Sequence, residues 1–309
     1  MDVIVRPLRP GDPADAEAFV RVRRRALPFM VMTAGSLAFD LAHAPARKRF
    51  RPLVAEEDGE VIGTAQVGIA HESAEPGQGF ANLYVRPDRE GRGAGSLLLA
   101  AAEEHLARSG AREVWSWVYD EPRNREFAVR HGYTAKRSAH FLRLDLVRDA
   151  LPPRLEPPAG VELRPASSFA ADPRPVFALD AETTADEPSD VGAVLADYEG
   201  WLADTWHHPL TDLELTTVAV VDGRPVAFSL AHTDRETRYS SGMTGTARAH
   251  RGRGLAKLVK NDSLHRARAV GIREAFTGND TDNGPMLAVN TWFGYRVCGT
   301  EVRHVRALG

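Results

Sequence analysis

Four unrelated local signals recur along this chain at an almost constant interval, and that repetition limits its fold more than any other feature. Val161-Glu162-Leu163-Arg164-Pro165 echoes Val3-Ile4-Val5-Arg6-Pro7. Asp222-Gly223 echoes Asp58-Gly59, Gly254 echoes Gly93, and Gly294-Tyr295 echoes Gly132-Tyr133. The offsets are 158, 164, 161 and 162 residues. An internal duplication accounts for that spacing, and 309 residues are ample for two domains. Between the copies, Pro152, Pro153, Pro157 and Pro158 mark a stiff, extended segment. The expected organisation is an N-terminal domain over 1–149, a Pro-rich linker over 150–160 and a C-terminal domain over 161–309.

Periodicity supplies the elements of the first copy. Val3 to Pro7 reads as a strand and residues 12–26 as an amphipathic helix, with Ala16, Phe19, Val20 and Leu27 on one face. A second helix covers about 34–46. Strands follow over 50–57 and 61–70, joined by the hairpin turn Asp58-Gly59, and then over 80–85. A helix over 94–109 has Leu97, Leu98, Ala101, Ala102 and Leu106 on its apolar face. A short strand at 114–118, a helix at 122–131 and a strand at 141–146 complete the copy.

In each copy a glycine-rich loop lies between a strand and a helix: Glu90-Gly91-Arg92-Gly93-Ala94-Gly95, and Arg251-Gly252-Arg253-Gly254-Leu255-Ala256. A helix start leaves four backbone N–H groups without partners at the positive end of its dipole, and glycines let an anion approach the backbone. Arg89 and Arg92, or Arg251 and Arg253, add charge-assisted bonds. The implied ligand group is a phosphate or pyrophosphate. Neither loop has the Gly-x-x-x-x-Gly-Lys-Ser/Thr pattern. Each follows about the fourth strand of its copy, which excludes the dinucleotide Gly-x-Gly-x-x-Gly fingerprint of a first βα turn. Arg251 to Ala256 satisfies Gln/Arg-x-x-Gly-x-Gly/Ala, the pattern of a coenzyme A pyrophosphate loop.

The loop and the order of elements resemble the GNAT superfamily of acyl-CoA-dependent N-acyltransferases over nearly the whole chain. The run Thr277-Gly278-Asn279, Asn283, Met286 to Asn290 and Gly294-Tyr295 looks like a subgroup of two-domain bacterial members. The resemblance implies an α/β (mixed α+β) fold of two tandem domains. Each would be a mostly antiparallel sheet flanked by helices, with strands 4 and 5 splayed. The pantetheine arm would enter that gap and pair with strand 4 as an added strand. It implies acetyl-CoA as co-substrate and no metal. It places Thr244, Gly245 and Thr246 beside the pantetheine, and Arg251, Gly252, Arg253, Gly254, Leu255 and Ala256 on the pyrophosphate. Asn279 and Asn283 fall near the coenzyme arm. The corresponding positions of the first copy are Leu83, Val85, Gly91, Arg92, Gly93, Ala94, Gly95 and Ser96. That copy departs from the pattern with Glu90 at the Arg/Gln position, where Arg89 and Arg92 would soften the repulsion, and with Glu121 in place of Asn283. The C-terminal domain is therefore the favoured catalytic half.

Acyl transfer from a thioester needs a neutral amine, a donor to the developing oxyanion and a proton for the leaving thiolate. Members of the superfamily often carry an acidic tyrosine four residues before the Gly-Phe/Tyr pair. Here Ala128 and Asn290 occupy those positions. The fourth strands carry no carboxylate from Phe80 to Val85 or from Tyr239 to Thr246. The candidates left are Asn290 as a hydrogen-bonding group, with Tyr239 and His232 as acid or base; His71 and Glu72 are their weaker counterparts. Proximity with water-relayed protons is the alternative. Residues 180–204 carry Asp180, Glu182, Asp186, Glu187, Asp190, Asp197, Glu199 and Asp204 with no Lys or Arg. This is either an acidic wall for a cationic amine or a solvated helix face.

A net charge of −3 gives no global field toward nucleic acid or membrane, and no apolar run is long enough for a bilayer. The lone Cys298 permits no internal disulfide, in keeping with the cytoplasm; in a strand-like run it reads as core filler. The expected protein is a cytoplasmic N-acetyltransferase acting on a small-molecule amine, as a monomer or homodimer. A non-catalytic acyl-CoA sensor and an enzyme for longer acyl chains are the rivals.

Overall fold

In the computed structural model the described residues are 2–73, 75–187 and 195–308. The first half of the chain forms β1 (Ile4–Pro7), α1 (Pro13–Ala26), α2 (Ala34–His43), β2 (Leu53–Glu57), β3 (Glu60–Ile69), β4 (Gln78–Val85), α3 (Ala94–Arg108), β5 (Glu113–Tyr119), α4 (Pro122–Arg130) and β6 (Thr134–Asp145). The second forms β7 (Glu162–Pro165), α5 (Arg174–Thr184), α6 (Tyr198–Trp201), β8 (Thr217–Val221), β9 (Arg224–Thr233), β10 (Arg238–Thr246), α7 (Leu255–Ala269), β11 (Glu274–Asp280), α8 (Gly284–Trp292) and β12 (Arg296–Ala307).

These elements build two compact units, but not the two linear halves of the sequence. One unit comprises Met1–Ala139 with Gly299–Gly309, and the other His140–Cys298. Within the first unit the strands lie in the order β1-β2-β3-β4-β5-β12, and within the second in the order β6-β11-β10-β9-β8-β7. Each unit is thus closed by a strand from the opposite half. In the first, Glu301–Ala307 pair antiparallel with Tyr119–Glu113 of β5. In the second, β6 lies beside β11, with Arg143 bonded to Glu274 at 2.7 Å. Alternation along a strand fixes which side chains face the core, not which neighbour the strand pairs with, so the exchange has no signature in the sequence. β6 and β12 are also longer than the pattern indicates, beginning at Thr134 and ending at Ala307.

Local chemistry explains most boundaries. Asp12 caps α1 by accepting from the Ala14 and Asp15 amides ahead of Pro13 at the first helical position. Both hairpin turns use positive φ, 52° and 79° at Asp58-Gly59 and 47° and 74° at Asp222-Gly223, as a type I′ connection requires. On α3, Leu98, Leu99, Ala102 and Leu106 are buried against Ile62, Ala65, Val67 and Ala81 of the sheet. Leu97, expected on that face, is 44% exposed, and Leu99 takes its place. Each such leucine contributes about 1.5–3 kcal/mol relative to exposure. Phe19, Val20 and Val22 of α1 pack with Leu37 and Val54 in a separate cluster. The Pro-rich segment is not a free spacer. The Pro152 and Pro153 carbonyls accept from His265 and Asn261 of α7, at 2.9 and 3.3 Å, and Asn261 in turn accepts from the Leu155 amide.

Candidate active site in the second unit

Three adjoining pieces of the second unit make the site. The first is a parting strand pair. β10 and β11 run parallel from Arg238 opposite Glu274 to Ser241 opposite Thr277, while β10 continues to Thr246 on β9. The β9–β10 register shifts between Ser241 and Thr244, so Gly242 and Met243 stand opposite Leu230 alone. Such a bulge takes a residue out of the ladder and re-aims its backbone. His232 sits against it: a Cβ built on Gly242 would lie 2.9 Å from the imidazole. Burial, then the neighbouring His208, lower that imidazole to about 4, so it is neutral near pH 7.

The second piece is the glycine loop. Gly252 and Gly254 both have φ of +75°, and a Cβ on either would meet nothing within 4 Å. Gly254 opens α7 without a capping side chain, which leaves the first α7 amides for a ligand. Arg251 donates to the Thr246 carbonyl at 3.2 Å and to Asp186 at 2.5 Å. Arg248 grips the same carboxylate with two bonds, of 2.7 and 2.6 Å. The two guanidiniums hold the Asp186 carboxyl well below the usual carboxylate range. Arg253 is exposed.

The third piece is a buried polar floor where β10 and β11 part. Lys260 of α7 is fully buried. Its Nζ donates to Asn290 Oδ1 at 2.6 Å and reaches Thr277 Oγ1 at 3.4 Å. Asn290 Nδ2 donates to Asn279 Oδ1 at 2.5 Å. The structure therefore brings Asn290 and Asn279 together, and adds a lysine that pattern reading passed over. A signal was available: lysine occurs only at 48, 136, 257 and 260 in an arginine-rich chain, and Lys260 falls on a turn flanked by leucines.

The other expected residues are placed as follows. Tyr239 is fully buried and shares a 2.8 Å hydroxyl bond with Ser263, a core arrangement. Asn283 caps α8 by accepting from the Met286 amide. Thr244 bonds Ser229 on β9 at 3.0 Å. Gly245 is pressed by Thr183 of α5, 2.6 Å from where a Cβ would stand. Leu255 is buried beneath the loop, in the cluster with Val226 and Ala227. The acidic stretch is largely engaged within the fold. Trp201 Nε1 donates to buried Asp180 at 2.8 Å. Glu182 accepts from the Arg248 amide, Asp197 caps α6, and Asp190 lies outside the described residues. Cys298 donates to the Phe141 carbonyl at 3.4 Å, and burial pushes its thiol up.

The matching region of the first unit has the same outline with its strand gap filled and its loop partly covered, although Gly93 stays as open as Gly254. β4 and β5 also part, after Phe80 opposite Trp115, but β3 and β4 pair without a register shift from Gly63–Val85 to Ile69–Gly79. The Asn82 side chain accepts from the Trp117 amide across the gap at 2.9 Å, and the Asn82 carbonyl accepts from buried Arg23 at 3.3 Å. Tyr84 donates to Glu301 at 2.5 Å. The pairings put Gly245 and Gly278 of the second unit where the first has Tyr84 and Trp117. In the loop, Arg123 pairs with Glu90 at 2.9 Å and would lie 2.7 Å from a Cβ on Gly91. Arg89 and Arg92 do not soften Glu90; both bind Glu57. Ala94 is buried, Gly95 packs on Phe127, Ser96 meets His131, and Leu83 and Val85 pack on the core.

Paired strands that part beside an open glycine turn at a helix start define an α/β fold suited to an extended ligand ending in phosphate. The chain matches the model of the Acetyltransferase (GNAT) family over residues 19–133 and 179–295, and it belongs to that family, whose activity is N-acetyl transfer. Among its relatives, a protein named mycothiol acetyltransferase from Nocardia farcinica is 30% identical over 82% of each chain. Another of that name, from a Nocardioides species, is 28% identical over 69% of this chain and 75% of its own. Among solved structures, a tandem GNAT protein from the clavulanic acid biosynthesis pathway superposes with a TM-score of 0.73 at 20% identity, covering 100% of this chain and 99% of that one. A GCN5-related N-acetyltransferase from Sphaerobacter thermophilus gives 0.71 at 23%, covering 99% and 95%. Both share the fold.

Proposed function

We propose that the second unit transfers an acetyl group from acetyl-CoA to an amine of a small-molecule acceptor, by direct attack in a ternary complex. The observation that carries this reading is the contrast at the first glycine of the two loops: Gly252 is open, whereas its counterpart Gly91 is covered by Arg123, Gly93 and Gly254 being open alike. Coenzyme A would lie along β10, with its pyrophosphate on the amides of Gly252 to Ala256 and on Arg251 and Arg253. The bulge at Gly242 and Met243 offers backbone N–H groups to the carbonyl oxygen as it gains charge. Neutral His232 beside the bulge belongs to the acceptor side. Tyr239, held by Ser263, serves packing. The first unit, with its gap filled and its loop partly covered, acts as a scaffold and binds no coenzyme.

A mycothiol-related amine is a second reading of the acceptor, favoured by the names of the relatives. Exposed Glu199 and Asp204 favour a cationic acceptor in either case.

Calorimetric titration of coenzyme A should give one site per chain, and Arg251→Glu should weaken it at least tenfold, since a charge-assisted pair becomes a repulsion. Two sites, or unchanged affinity in that variant, would overturn the assignment. Thiol release from acetyl-CoA should occur with a panel of small amines that includes a mycothiol-related one. Tight binding without turnover would instead favour a sensor. Faster turnover with longer acyl-CoA donors would revise the donor.

A further inference from the structure

Lys260 is an uncommon feature that the architecture of the fold does not require. A charged ammonium is expensive to bury without a carboxylate, and this one has none: its side-chain partners are Asn290 and Thr277, with the Tyr295 ring 5.0 Å away. The first unit shows that the elements assemble without the cluster. Counting along the paired helices and strands, Leu99, Ala128 and Val118 stand there in place of Lys260, Asn290 and Asn279. Thr277 pairs with Ser241 as the last rung before β10 and β11 separate, so the amine lies at the closed end of the gap. The buried hydroxyls of Ser241 and Tyr295 face each other at the same rung. Two of the three ammonium hydrogens are engaged by Asn290 and Thr277.

From this geometry we propose that Lys260 donates the proton to the thiolate that leaves when the acyl group is transferred. The inference rests on the donor site assigned above. The acceptor nitrogen, entering neutral, bonds to the carbonyl carbon. The C–S bond breaks and its electron pair leaves with sulfur, which takes a proton from the Lys260 ammonium. The new amide nitrogen releases its extra proton to water, and solvent reprotonates Lys260. Asn290 is the positioning residue: it holds Nζ through Oδ1 while Asn279 fixes its amide.

Burial alone lowers the Lys260 ammonium from 10.5 to about 7, which suits a proton donor working near neutrality. On the packed elements the titratable groups are Tyr239 and Arg238 on β10, Glu274 and Asp280 on β11, Arg224 and His232 on β9, and Tyr295 after α8; β8 and α8 bring none. On α7 itself, Asp262 is bonded to Thr217 and Lys257 lies over Trp292.

The test uses the full chain, Lys260→Met and Lys260→Arg. In the wild type, kcat should fall as pH rises through about 7, because the acid form is consumed. In Lys260→Met that limb should vanish and kcat should drop roughly 100-fold or more, with the coenzyme A Kd unchanged. Lys260→Arg should keep the charge and lose the limb. As a readout apart from turnover, the thiol of bound coenzyme A should titrate at lower pH in the wild type than in Lys260→Met, followed by thiolate ultraviolet absorbance. Wild-type kcat and pH profile in a folded Lys260→Met, or identical thiol titrations, would overturn the proposal. If the methionine variant does not fold, a wild-type limb that persists in Lys260→Arg overturns it. Failure of the wild type to bind coenzyme A would instead count against the donor site itself.

Discussion

At the scale of single residues, Lys260 and Asp186 both carry charge under unusual conditions, and each has a measurable consequence. With its folded value near 7 and its unfolded value near 10.5, Lys260 leaves the folded chain short of a proton between those pH values. Stability from this residue is therefore fully present above about 10.5 and is lost as pH falls toward 7. Lys260→Met should be more stable than the wild type below pH 7, by an amount on the order of a few kcal/mol, and the gap should close by pH 10. Urea midpoints at the two pH values check this. Asp186 occupies the guanidiniums of Arg248 and Arg251, where a phosphate would compete with it. Asp186→Asn should tighten coenzyme A binding about two- to fivefold, as befits a solvent-screened pair, and added salt should shrink the difference. The sequence showed the loop arginines plainly. It did not show that Asp186, more than 60 residues away along the chain, pairs with Arg248 and Arg251, or that Lys260 is tied to Asn290, because such pairings are made by tertiary packing.

Among the elements, the glycine turn before a helix was readable because its chemistry is local: positive φ at Gly93 and Gly254 demands glycine in both copies. Gly254→Val should therefore weaken coenzyme A binding and lower stability by about 1–2 kcal/mol, read by calorimetry and thermal denaturation. Gly93→Val, with the same strain, should lower stability alone. The bulge in β10 was not readable. Met243 and Gly242 look like ordinary strand residues, and only the pairing with β9 shows two residues set against one. The filled gap of the first unit was likewise hidden, since Asn82, Tyr84 and Arg23 are far apart in sequence and acquire meaning through Trp117 and Glu301.

For the whole molecule, the duplication gave the two repeats and the order of their elements, while the exchange of closing strands became visible only in the fold. Residues 1–149 alone lack β12, and 161–309 alone lack β6. Each piece should then leave a bare strand edge, β5 or β11, and aggregate or remain partly unfolded. Mixed in equal amounts, 1–149 and 150–309 should recover cooperative unfolding by circular dichroism. Independent, cooperative folding of either piece would contradict the unit boundaries at Ala139 and Gly299.

The exchange also reverses the order in which the protein can be finished as it leaves the ribosome. The second unit has all its strands once β11 has emerged, because β6 was made long before. The first unit must wait for Glu301 to Ala307, the last strand of all, to reach β5. Although domains ordinarily fold in the order of their synthesis, here the half made first is the half closed last, and its β5 edge needs shelter for most of translation.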